Sequence, residues 1–223
     1  MRKMKIHRGN FESNLLFLDE TGLLDTPKRI LEIGAGRGVL TRVLKDRGHQ
    51  IIGTEINQEY IAFAKEENDI DLVFTNVETT DLPFPNQSFD FVISFDVFEH
   101  IPDSDAHLKE VSRVLVPGGS YLLCTPNKLT NVPFEILKEK SLTKYKEYHI
   151  ALHTFWGLKK RLQKNGYQAS FVSIPLVTPY FIDKMRRYTG SVGVFLVHIL
   201  KPDAWPQFLK TNFYVVAKKQ EEV

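Results

Sequence analysis

Three glycines on alternate positions, Gly34, Gly36 and Gly38, follow directly on the apolar run Ile30-Leu31-Glu32-Ile33. Glycine tolerates positive φ and carries no Cβ, so the main chain can reverse tightly there and let a ligand approach it before a helix begins. Such a turn suits a nucleotide-like molecule. Two carboxylates frame it: Glu32 inside the apolar run, and Glu55, 21 positions after Gly34, at the end of Gln50-Ile51-Ile52-Gly53-Thr54. Doubly wound nucleotide-binding units place an acid about 20 residues on, at the tip of the second strand, where it can accept hydrogen bonds from both ribose hydroxyls. The pattern therefore fits an adenosine-bearing ligand. The plain alternative for Glu55 is a solvated strand-end acid.

His149 and His153 are the next residues able to do chemistry, because imidazole titrates near neutral pH and can take a proton from a hydroxyl nucleophile. They stand four apart in Tyr148-His149-Ile150-Ala151-Leu152-His153 and would share one face if that piece were helical. The same spacing could hold a metal, but no carboxylate partner is evident, so no metal is expected. The bland reading of each is a histidine packed on an aromatic ring or bonded to the backbone. Cys124, the single cysteine, falls in the apolar run Tyr121-Leu122-Leu123-Cys124 and is expected to be inert.

The elements that must position these groups alternate along the chain, which predicts an α/β fold, a doubly wound sheet with helices on both faces. Val39, Leu40, Val43 and Leu44 recur at helical spacing behind the glycines. A helix capped by Asn57 over Gln58 to Lys65, strands at 71–75, 89–94 and 120–125, and a helix over 106–115 follow. A helix from Phe155 stops near Asn165-Gly166, and strands at 167–174 and 212–218 close the pattern. The whole of 1–223 reads as one domain, with 127–150 and 176–208 as insertions that form a substrate lid at the carboxyl edge of the sheet.

The run from Glu32 to Gly38 resembles the first motif of class I S-adenosylmethionine-dependent methyltransferases, acid-x-Gly-x-Gly-x-Gly. Two further segments look like the small-molecule, type 11-like branch: Leu82-Pro83-Phe84-Pro85-Asn86-Gln87-Ser88-Phe89-Asp90 before the fourth strand, and Val97-Phe98-Glu99-His100-Ile101-Pro102 after it. The resemblance covers most of the chain. It implies a seven-stranded, mostly parallel sheet of order 3-2-1-4-5-7-6 with the seventh strand antiparallel. It also implies S-adenosylmethionine as cofactor, contacted by Glu32, Gly34, Ala35, Gly36, Gly38, Glu55, Ile56, Glu78, Thr79 and Phe95, with Glu78 where the family commonly has an aspartate near the adenine. His100 would order the loop near the cofactor. Dehydrogenases more often show Gly-x-Gly-x-x-Gly, and Glu32 would repel a pyrophosphate while meeting the cofactor's ammonium. A nicotinamide-dependent oxidoreductase and a non-catalytic cofactor-binding module are the rival readings.

Composition bounds the rest. The 223 residues are 43% hydrophobic and 25% charged with a net charge of +2, an ordinary globular balance that implies no nucleic-acid partner. The start lacks the apolar core of a secretion signal, no apolar run reaches the roughly 18 residues of a membrane span, and one cysteine suits the cytoplasm. The expected acceptor is a small molecule, methylated at oxygen. Apolar stretches such as Val192 to Leu200 suggest an apolar or aromatic acceptor, or peripheral membrane contact helped by Lys184, Arg186 and Arg187; ordinary core packing is the simpler alternative.

Overall fold

The structure is a computed structural model that describes residues 10–76, 81–147 and 149–220. Seven strands form one sheet: β1 (Arg29–Ile33), β2 (Gln50–Glu55), β3 (Leu72–Phe74), β4 (Phe89–Phe95), β5 (Leu115–Pro126), β6 (Tyr167–Val172) and β7 (Asn212–Lys219). Their order is β3-β2-β1-β4-β5-β7-β6. Pairs from β3 to β5 are parallel and β7 runs antiparallel to both neighbours, so the predicted topology is the observed one. The central strands are buried along nearly their whole length, which explains why they read as continuous apolar runs without alternation.

Among the described residues seven helices accompany the sheet: α1 (Phe11–Thr21), α2 (Val39–Asp46), α3 (Gln58–Asn68), α4 (Ser104–Val114), α5 (Lys128–Glu139), α6 (Phe155–Lys164) and α7 (Pro179–Leu200). Local chemistry sets several boundaries. The Asn57 side chain accepts the amides of Glu59 and Tyr60 at 2.9 and 3.2 Å, and Thr154 and Thr178 cap α6 and α7 in the same way. Gly166 takes a left-handed φ of 79° just past α6, the expected stop. Among the described residues the two larger apolar cores lie on either side of the sheet, and a smaller one gathers Ala35, Ala64, Ile70 and Leu72. Of the larger two, one joins α4 and α6 to the sheet around Leu108, Val111, Leu158 and Leu162, and the other joins α1 and α2 around Phe17, Leu18, Leu40 and Leu44.

Three elements depart from the sequence expectations. Helix α1 has no counterpart among them, although Phe17 and Leu18 are fully buried and the Phe17 ring sits 5.2 Å from Tyr214 and 6.1 Å from Phe95. Its signal is short and diluted by Glu12, Asp19 and Glu20, so only the sheet face it meets makes it legible. Helix α5 forms in a stretch that reads as irregular: Asn127 caps it at Leu129, and Pro133 lies inside it, one turn in, without the amide that would bond back to Leu129. The piece 149–153 is extended rather than helical, pinned by a bridge between His153 and Asn127, so His149 and His153 do not share a helix face.

Candidate functional site

The glycine turn leaves β1 at its carboxyl end, and all three glycines adopt positive φ: 72° at Gly34, 57° at Gly36 and 71° at Gly38. Each serves a different need. A Cβ on Gly34 would overlap the Val97 side chain, whereas a Cβ on Gly36 would meet nothing within 4 Å. Gly38 packs against Ala64 and Ile70, letting α2 settle on α3. The turn is held by the amide of Ala35 donating to the Thr54 carbonyl (2.8 Å) and that of Gly38 donating to the Ala35 carbonyl (3.0 Å).

Beside the turn lies a cavity of about 180 Å³. Its wall takes Glu32, Gly34, Ala35, Gly36, Arg37, Val39 and Leu40 from the β1–α2 unit, Tyr60 from α3, Phe95 and Asp96 from the end of β4, and Asn10, Phe11 and Asn14 from the start of α1. Of the residues expected to hold the cofactor, Glu32, Gly34, Ala35, Gly36 and Phe95 therefore share one wall. Gly38, Glu55 and Ile56 do not line it, and Glu78 and Thr79 lie outside the described residues.

Glu55 acts on the wall indirectly. One carboxylate oxygen accepts the Gly36 amide at 2.7 Å, and the other accepts the amides of Ile56 (3.0 Å) and Asn57 (2.9 Å). A carboxylate offers about four lone-pair sites, so three main-chain donors leave roughly one for a ligand. In this arrangement the carboxylate braces the turn, and contact with the ribose hydroxyls would draw on its remaining acceptor site.

Glu32 is buried, and its carboxylate accepts the Thr41 hydroxyl at 2.5 Å. Burial pushes its carboxyl up to about 7, with the nearby Glu55 charge adding to the rise and the Thr41 bond opposing it. A cation in the cavity would draw Glu32 back to the ionised form. Asp96, at φ 57°, presents a second carboxylate there and accepts from the Asn10 side chain at 3.2 Å. Arg37 stacks over the rings of Phe63 (4.5 Å) and Tyr60 (5.5 Å), which directs its charge toward aromatic faces. An acid-lined wall with aromatic neighbours and an open glycine face fits a cationic, adenosine-bearing ligand. Asn10, Phe11, Asn14, Tyr60 and Asp96 were missed from sequence; the acid ending Phe91-Val92-Ile93-Ser94-Phe95-Asp96 was the one available signal.

Beyond the end of β4, a 3-10 turn at Phe98–His100 faces the segment after α5. The Ala151 amide donates to the Glu99 carbonyl at 2.9 Å, and the His100 and His149 rings lie 5.4 Å apart. Ligand atoms of Glu99, His100 and His149 fall within 4.8 Å of one another. This corrects the view that no carboxylate stands near His149: the strand end brings Glu99 there from 50 positions away. Burial, reinforced by His100, holds the His149 imidazole below its usual range. His153 is buried more deeply, 5.5 Å from the Phe98 ring, and burial takes it to about 4, too weak a base for neutral pH. Neither histidine lines the cavity among the described residues. Cys124 is buried and its thiol is pushed up by burial, as an inert residue should be.

The family profile described as a methyltransferase domain matches residues 31–123, the stretch that builds the glycine turn, the cavity wall apart from its α1 side, and the turn after β4. Residues 31–123 thus form a methyltransferase domain of the class I S-adenosylmethionine-dependent kind. This methyltransferase is 29% identical over 216 residues to a ubiquinone biosynthesis O-methyltransferase of Bradyrhizobium diazoefficiens, covering 93% of this chain and 76% of that protein. It is 33% identical over 111 residues to a fatty-acid O-methyltransferase of Mycolicibacterium smegmatis, covering 48% and 40%. Among solved structures it resembles the fold of Haemonchus contortus phosphoethanolamine N-methyltransferase 2 in complex with S-adenosyl-L-methionine, with a TM-score of 0.65, 20% identity, and coverage of 95% of this chain and 53% of that one. The chain is thus an enzyme using S-adenosylmethionine, and the oxidoreductase and non-catalytic readings are set aside. No helix among the described residues is long and apolar enough to cross a membrane.

Proposed function

We propose that this methyltransferase transfers a methyl group to a hydroxyl oxygen of an apolar or aromatic small molecule, with His149 as the proton acceptor and without a metal. When bound, S-adenosylmethionine supplies an electrophilic methyl group, so the chain's own task is to bind, orient and remove a proton. Glu32 and Asp96 face the cofactor's positive charge, Gly34, Ala35 and Gly36 give its main-chain surface, Phe95 and Tyr60 flank it, and Glu55 with Ile56 braces the turn. Glu78 and Thr79 keep the adenine-side role that the family resemblance implies.

The observation that carries the reading is the seam between the Glu99 carbonyl and the Ala151 amide. It fixes His149 at the carboxyl end of β4, the strand whose Phe95 and Asp96 form the cavity wall. His149 is half-buried and below its ordinary range, hence neutral and able to accept a proton at pH 7. Relatives named for O-methylation support oxygen as the methylated atom.

The test is a methyl-transfer assay on hydroxylated quinones, catechols and fatty acids, run with and without a chelator. Transfer to one of these that survives chelation and falls in His149→Ala supports the reading. Loss on chelation with rescue by a divalent cation would reassign Glu99, His100 and His149 to a metal site.

A further inference from the structure

Helix α7 turns its apolar side outward. Past Gly190, where φ 66° and ψ −161° break the helix, Val192, Phe195, Leu196, Ile199 and Leu200 are 70%, 63%, 47%, 58% and 53% exposed. Their spacing is i, i+3, i+4, i+7, i+8, the stripe a helix normally buries. The inner line is narrow: Gly193 and Val197 are the buried residues of this half. A contiguous apolar stripe left on the surface marks a contact with something outside the fold.

The charge around it points to the occupant. Arg186 and Arg187, one turn before the break, and Lys201, just past the helix end, are exposed. Phe134 of α5 meets Tyr188 of α7 edge-on at 6.3 Å, so the insert holding Lys138, Lys140, Lys144 and Lys146 adjoins the helix. Together the segments 127–150 and 176–208 hold nine basic and five acidic side chains, a net of +4 on a chain whose total is +2. All remaining residues are net negative, which concentrates the positive field on the inserts. A basic rim around an exposed apolar helix matches an anionic bilayer, whose headgroups attract the lysines and arginines while the boundary layer receives the side chains. Such a bilayer answers both the apolar stripe and the one-sided charge.

We infer that α7 docks this methyltransferase on anionic membranes, with Val192, Phe195, Leu196 and Ile199 entering the interface and Arg186, Arg187 and Lys201 against the headgroups. Both inserts follow strands, β5 and β6, whose carboxyl ends lie on the edge that carries the cofactor cavity, so docking turns the acceptor side of the enzyme toward the lipid. Docking itself needs neither cofactor nor acceptor and is tested without them.

The 223-residue chain is sedimented with vesicles of phosphatidylcholine alone and of phosphatidylcholine with phosphatidylglycerol, at low and high salt, alongside analytical ultracentrifugation of free protein. Preferential binding to the phosphatidylglycerol vesicles is expected, weakened by salt. Phe195→Asp and Ile199→Asp should each weaken it about tenfold. Both positions are exposed, so circular dichroism should show an unchanged fold, and Arg186→Glu with Arg187→Glu offers a second variant that leaves the stripe intact. Equal binding of wild type and the aspartate variants, or no binding to either vesicle, would overturn the inference. A concentration-dependent dimer abolished by Phe195→Asp, without vesicle binding, would overturn it in favour of a second copy on this face.

Discussion

The amide of Gly36 donates to the Glu55 carboxylate across 2.7 Å, joining the turn after β1 to the tip of β2. Nineteen positions separate them, and the bond makes the shape of the cofactor wall depend on a residue that does not line it.

Glu55→Ala should therefore weaken S-adenosylmethionine by about 10- to 100-fold, since charge-assisted hydrogen bonds of roughly 1.5–3 kcal/mol are withdrawn and the turn is loosened. Glu55→Gln, which keeps one acceptor oxygen, should recover part of the loss. Calorimetric titration of the three proteins measures this, and equal affinities would mean that the turn holds its shape unaided.

Gly34 and Gly36 should separate folding from binding. In Gly34→Ala the left-handed φ and the overlap with Val97 add up to about 3 kcal/mol of lost stability, roughly 10 °C in Tm for a chain of this size. In Gly36→Ala only the φ strain of about 1 kcal/mol applies, because open space receives the methyl group. That methyl group stands on the cavity wall, so affinity should fall while Tm barely moves.

Glu32 and His107 should pull the pH dependence of stability in opposite directions. The Glu32 carboxyl is raised to about 7, so between pH 4.5 and 7 the folded chain binds more protons than the unfolded one, and stability falls as pH rises. His107, buried against Tyr121 at 3.2 Å, is lowered by burial to about 4, so between pH 4 and 6.5 stability rises with pH. Each effect is about 3 kcal/mol, and His153, also taken to about 4 by burial, adds to the His107 side. Denaturant midpoints from pH 4 to 8 should slope upward with pH more steeply in Glu32→Gln than in the wild type, and less steeply in His107→Gln.

S-adenosylmethionine affinity should also rise between pH 6 and 7.5 as Glu32 ionises, and this rise should be flat in Glu32→Gln. Thr41→Val, which removes the hydroxyl that favours the ionised carboxylate, should move it to higher pH.

His149→Ala should lower turnover by roughly 10²–10⁴ with little change in cofactor affinity, the range of a lost general base. His153→Ala should instead lower Tm with near-normal turnover, because its ring packs on Phe98 in the core. Steady-state rates beside thermal melts distinguish the two.

Local patterns in the sequence carried the α/β class and an adenosine-bearing ligand, through apolar runs for buried parallel strands, glycines where φ must be positive, an acid at the second strand tip and Asn57 as a cap; the strand order and S-adenosylmethionine came through the family resemblance of Glu32 to Gly38. The sequence did not carry α1, whose amphipathic signal is weak until Phe17 and Leu18 meet Phe95 and Tyr214. Nor did it carry α5, where Pro133 obscures the period.

Tertiary structure alone decided which groups meet. Asn10 reaches Asp96 across 86 positions, Glu99 comes beside His149, Glu55 spends its lone pairs on Gly36, Ile56 and Asn57, and His149 parts from His153 in burial and basicity. The physical reason is that proton affinity and hydrogen-bond partners follow from burial and from neighbours distant in the chain, and a linear pattern encodes neither. The glycine turn names the methyl donor; the packing around it sets which residues can serve the acceptor.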